Sequence, residues 1–152
     1  MITIPVVYGR PEVSVKQYLY SIRDEQKEIE ELKDRIYEIE QSLLPSGIRY
    51  DKERVQSSPQ EHMSEAMAAS VDYQMALEKK LVKLIKRRRE AQELIDKLPR
   101  SYERQVLEVY FLSVRKVKLE DVASIIGYSR AQTYNIYNAA LKHLGEIAPN
   151  LD

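Results

Sequence analysis

The apolar positions divide the chain into two long helical stretches and a compact helical end. Tyr18, Ile22, Ile29, Leu32, Ile36, Ile39 and Leu43 follow one another at intervals of 4, 7, 3, 4, 3 and 4. These are the a and d positions of a heptad seam, with Glu25 as its one polar interruption. Most of a helix's stability comes from burying its apolar face, so such a stripe requires a partner. A second stripe, Met63, Met67, Val71, Leu77, Leu81, Leu84, Ala91, Ile95 and Leu98, predicts another long helix, from about residue 59 to about 97. Arg88 interrupts it and Pro99 stops it. Pro45 and Gly47 end the first helix, and Ser58-Pro59-Gln60-Glu61 opens the second. In that opening Ser58 is the N-cap, Pro59 the first helical residue and Glu61 the side chain reaching back. Two long helices joined by a loop of about 15 residues, 45–59, predict an antiparallel, coiled-coil-like hairpin. A symmetric dimer burying the same seams is the rival, and the two can coexist. Residues 1–14, with Pro5, Gly9 and Pro11, read as an irregular arm.

From Leu98 the spacing shortens. Leu98, Val106, Leu107, Val109, Tyr110 and Phe111 fall on one side of a short helix, with Ser101 as its expected N-cap. Leu119, Val122, Ala123 and Ile126 line a helix of about two turns, closed by Gly127, which can adopt the left-handed conformation that ends a helix. Ser129 then caps a further helix, with Gln132 three residues on, and Ile136, Ala140, Leu141 and Leu144 form its buried side. A small residue, a glycine four positions later and apolar positions at these offsets make the helix-turn-helix pattern. The expected fold is therefore all-α: an arm (1–14), a long helical hairpin serving as oligomerisation region (15–98) and a helix-turn-helix DNA-binding domain (99–152).

Charge complicates this picture. The chain has 24 basic and 24 acidic side chains, net zero. The distribution is uneven: residues 21–44 carry four basic and eight acidic side chains, whereas "KKLVKLIKRRRE" at 79–90 is strongly basic. Opposite charges on two helices favour pairing between them. The run Lys86, Arg87, Arg88, Arg89 is either a solvated face or a phosphate-contacting one. The absence of cysteine excludes a disulfide framework and a thiolate metal site. His62 and His143 are far apart and in no metal-ligand spacing, and no Gly-rich phosphate loop is present. The expectation is a non-enzymatic protein without cofactor or metal. With neither a signal peptide nor an apolar run approaching the roughly 18 residues of a membrane span, the expected location is the cytoplasm, with no membrane partner.

"LPRSYERQVLEVYF" followed by "LEDVASIIGYSRAQTYNIYNAALKHL" resembles region 4 of bacterial sigma factors. Leu98-Pro99, Arg104, Val106-Leu107, Leu119 to Ala123, Gly127-Tyr128-Ser129 and Ala140 to Leu144 match that pattern in order. The long helices and the "VQSSP" loop before it make the chain similar to small phage late-gene regulators of the ArpU-like and RinA-like kind, from phages and prophages of Gram-positive bacteria. The resemblance implies a sequence-specific DNA-binding transcriptional regulator, an activator of late or packaging genes. Its implied partners are double-stranded DNA, a second copy of the chain in a dimer, and host RNA polymerase.

The residues expected at DNA are Ser129, Arg130, Gln132, Thr133, Tyr134, Asn135, Asn138 and Lys142 on the recognition helix, with Lys118 and Arg104 outside it; Lys116 is a further candidate phosphate anchor. Arg pairs with guanine, and Asn or Gln with adenine. Lys118 replaces the Thr that usually caps the first motif helix, and Thr133 stands where the family has an apolar residue. With only Arg130 and Lys142 as cations on the recognition helix, one copy should bind DNA weakly. Two other readings fit the same pattern: an adaptor or anti-sigma-like module whose motif packs on a protein, and a phage terminase small subunit that binds DNA for packaging.

Overall fold

The structure, a computed structural model, describes residues 11–44 and 57–149, with side chains from 14–44 and 65–149. Among these residues there is no strand. The fold is all-α, with five helices: α1 (Pro11–Leu43), α2 (Ser57–Ile95), α3 (Ser101–Leu112), α4 (Leu119–Ile126) and α5 (Arg130–Ile147). None is long and apolar enough to cross a membrane. The remaining residues of the expected arm, 1–10, and the connection 45–56 lie outside the described residues.

Helix α1 begins at Pro11, inside the segment read as an arm. Proline is tolerated in a first turn because the N–H it lacks has no intrahelical acceptor there. Helix α2 begins at Ser57, one residue before the expected cap Ser58, and ends at Ile95. The capping bonds of Ser58 and Glu61 lie outside the described side chains. In α3 Ser101 is the first helical residue; the cap position falls to Arg100, which makes no side-chain capping bond.

The chain divides into two compact units, one drawn from Met1–Gln26 and Lys86–Asp152, the other from Lys27–Ile85. The units part within the two long helices, whereas the sequence reading sets its boundary at 98/99. In the first unit Val15, Leu19 and Ile22 of α1 share one core with Ala91, Leu94 and Ile95 of α2, Leu98, and the buried faces of α3, α4 and α5. In the second, Leu32, Ile36 and Leu77 are buried, with Ile39, Leu81 and Leu84 packed on them.

The heptad reading of α1 is displaced at its start. The buried positions are Val15, Leu19, Ile22, Gln26 and Ile29, so the seam's polar member is Gln26 rather than Glu25, and Tyr18 is half-exposed. Tyr18 and Val15 both lie within reach of a seam through Ile22. The faces of α3 and α5 select the Val15–Leu19 alternative. Glu25 instead sits at the edge, where both of its carboxylate oxygens accept from Arg87 Nε, at 3.0 and 3.1 Å. On α2, Met63 lies outside the described side chains, and Met67 and Val71 are exposed, contrary to the expected stripe; among the described side chains its buried side starts at Leu77.

Candidate nucleic-acid interface

Helices α4 and α5 are joined by a turn whose geometry the sequence specifies locally. Gly127 has φ +83°, and its N–H donates to Ala123 O at 2.9 Å, as does that of Tyr128 at 3.1 Å. This left-handed closure satisfies a carbonyl that the helix end leaves unpaired. Ser129 and Gln132 then cap α5 reciprocally: Gln132 N–H donates to Ser129 Oγ at 3.1 Å, and Ser129 N–H to Gln132 Oε1 at 3.2 Å. At the start of α4 the Asp121 carboxylate accepts from Lys118 N–H at 3.1 Å. A lysine side chain has no acceptor, so Asp121 does what a capping Thr would share.

One side of α5 is fixed in the core by Tyr137, Ala140, Leu141 and Leu144. The opposite side carries Arg130, Tyr134, Asn135, Asn138 and Lys142, all exposed, with Arg130 at 79% and Tyr134 at 57%. Arg130 reaches back to α4, where its Nη2 bonds Glu120 Oε2 at 3.0 Å. Both groups are exposed, so the pair holds Arg130 only weakly. Leu119, Glu120, Arg130, Ala131 and Tyr134 line an open depression between the two helices.

The other expected site residues fare differently. Thr133 is fully buried, and its hydroxyl has no hydrogen-bond partner. It occupies the apolar position of the helix and packs in the core, so it is corrected from the candidate contacts. Gln132 is exposed, but its carboxamide oxygen is engaged in the cap. Arg104 is half-buried, and its Nη1 donates to Leu98 O, which ties α3 to the connection that follows α2. Lys118 is exposed; Lys116 is exposed too and pairs with Asp24 at 2.8 Å.

The basic run on α2 separates by residue. Arg87 binds Glu25, and Arg88 donates to the carbonyls of Leu112 and Ser113, capping the end of α3. Lys86 and Arg89 face solvent.

Two polar clusters were not legible in the sequence. Glu103, 2% exposed, is met by His143 Nδ1 at 2.9 Å and by Arg100 at 3.6 Å. Forty positions separate Glu103 from His143, and no local pattern links them. The hydroxyl of Tyr20 lies 2.7 Å from that of Tyr110 and 3.4 Å from that of Tyr137, while the Arg23 guanidinium stands over the Tyr110 ring at 4.3 Å and its Nε donates to Tyr110 O. Burial, then the bond to Tyr20, pushes the Tyr110 hydroxyl up to about 12 and raises Tyr137 in the same direction. For Tyr20, burial is outweighed by the bonds to Tyr110 and Tyr137 and by the charges of Lys16 and Arg23, and its pKa is lowered. The clusters join α1, α3 and α5 and hold the base of the polar face in place.

Among the described residues no group of three His, Cys, Asp or Glu is placed to hold a metal. No curated protein and no solved structure matches the chain. A family match does extend over residues 43–145, and so over α2 to α5. By that match the chain belongs to the family described as "protein of unknown function (DUF1492)".

Proposed function

We propose that the protein is a sequence-specific DNA-binding transcriptional regulator, in which α4, the Gly127 turn and α5 form a sigma region 4-like helix-turn-helix. The observation that carries this reading is the pairing of a left-handed Gly127 closure and a reciprocal Ser129–Gln132 cap with an exposed face of Arg130, Tyr134, Asn135, Asn138 and Lys142. Side chains of these types, projecting from the start and outer face of a capped helix, suit the major groove. Ser129, at the N-terminus of α5, is placed for a phosphate, which the helix dipole and its free N–H groups attract. Arg130 supplies the guanine contact, exchanging its exposed bond to Glu120 for the base; Asn135 and Asn138 supply adenine contacts.

Residues 99–149 carry seven basic and five acidic side chains, so the phosphate contribution of one copy is small. Specific binding therefore uses two motifs presented together, the second engaging at high effective concentration. Within residues 27–85 the pairing of α1 with α2 is an antiparallel coiled-coil-like hairpin. The long helices before the motif resemble those of the ArpU-like and RinA-like phage regulators, and this resemblance supports late or packaging genes as targets and host RNA polymerase as a further partner.

The test is binding of wild type and Arg130→Ala to fragments flanking the protein's own gene, at two salt concentrations. Arg130→Ala should lose about 1–3 kcal/mol of discrimination at one base pair and keep its helicity. Equal binding by both proteins, or none by either, refutes the reading and favours a module that docks a protein partner in the Glu120–Arg130–Tyr134 depression.

A further inference from the structure

Helix α2 has a second apolar stripe beside the one that meets α1. Ala68, Val71, Met75, Val82 and Ile85 fall at a and d positions of their own heptad frame, with Glu78 in the remaining d position. All are exposed, Met75 at 59% and Val82 at 64%. The inner stripe, Leu77, Leu81 and Leu84, is already occupied by Leu32, Ile36 and Ile39. Soluble chains rarely leave so regular an apolar row in water without a partner for it.

The charges along the flank identify that partner. The column of e positions bordering the stripe reads Glu65, Asp72, Lys79, Lys86: two acids, then two bases, all exposed. A sequence that reverses its charge about its midpoint is complementary to itself when reversed. We infer that this face of α2 pairs antiparallel with the same face of a second copy of the chain.

In the register set by the apolar layers, Val71 lies against the second copy's Val82 and Ala68 against its Ile85. Met75 lies on the stem of its Glu78, a carboxylate that already accepts from Gln74 at 3.2 Å within its own helix. The same register sets Asp72 opposite the second copy's Lys79, and Glu65 opposite its Lys86. The two-fold axis repeats each pair. A parallel pairing would set the e column against Met67, Gln74, Leu81 and Arg88, which offer Glu65 and Asp72 no such match. The antiparallel register therefore satisfies both the apolar layers and the flanking charges.

The test is sedimentation of the full chain over a concentration series at low salt, without nucleic acid, so it stands or fails apart from DNA binding. Wild type should be a reversible dimer. Asp72→Lys sets two lysine pairs against each other and should raise the dissociation constant roughly tenfold or more. Lys79→Glu alone should do the same with carboxylates. Mixing the two variants, or combining both substitutions in one chain, restores opposite charges at every pair and should restore dimerisation. Circular dichroism should report unchanged helicity, because both positions are exposed. A wild type that stays monomeric, a dimer indifferent to Asp72→Lys, or failure of the two variants to pair on mixing each overturns the inference.

Discussion

The buried hydroxyl of Thr133 provides a sensitive test of how α5 is seated. The side chain is fully buried, and its Oγ1 has no hydrogen-bond partner. A hydroxyl brought out of water without compensation costs about 1–3 kcal/mol on mutational scales. Thr133→Val keeps the β-branch, and hence the rotamer restriction and helix propensity, while replacing the oxygen by a methyl. The gain should be partly offset by the slightly larger methyl in a close-packed site, leaving about 1 kcal/mol of net stabilisation. For a chain of this size that is a rise of roughly 2–4 °C in Tm. Urea unfolding followed by far-UV circular dichroism, alongside a thermal scan, measures both quantities. Under the proposed function, DNA affinity of the variant should equal wild type, because the side chain faces the core. A destabilised Thr133→Val would show that the hydroxyl is satisfied in solution. A stable variant that loses DNA binding would show that α5 is turned so that Thr133 faces outward. Either result refutes the seating of α5 described here.

Gly127→Ala should cost about 1–2 kcal/mol, since a Cβ there meets no atom within 4 Å and the penalty is the left-handed backbone alone; Gly127→Asn should cost less, and chemical denaturation of both variants checks the order. Alkaline unfolding should reflect the tyrosine cluster. With pKa values raised in the folded state, Tyr110 and Tyr137 contribute stability that is complete below pH 10.0 and is lost as pH rises toward about 12, while Tyr20, lowered, acts in the opposite sense. Tyr110→Phe should therefore show a shallower fall in Tm than wild type across that window, and an unchanged slope would remove the cluster from the account.

Features set by near neighbours were legible in the sequence. The Gly127 turn and the Ser129–Gln132 cap involve groups within a few residues of one another, so composition and spacing determine them wherever the helices lie. The limits of α4 follow for the same reason. The apolar face of α5 was legible in part: Ala140, Leu141 and Leu144 are buried as expected, whereas Tyr137 is buried in place of the expected Ile136, which is only partly buried.

Tertiary structure decided what depends on choosing between equivalent partners. Val15, Tyr18, Leu19 and Ile22 permit two seams on α1, and the burial of Val15 and Leu19 against the core of their unit selects one. Likewise α2 carries two apolar stripes, and the residues that α1 covers determine which of them is left to solvent. The basic run could not be divided from sequence, because the carbonyls that Arg88 reaches and the carboxylate that Arg87 reaches come from distant positions. Thr133, expected among the DNA contacts although it stands at an apolar position of the pattern, lies on the buried side of α5. The Glu103–His143 pair had no local signature at all, since a contact spanning forty residues exists only once α3 and α5 are packed together.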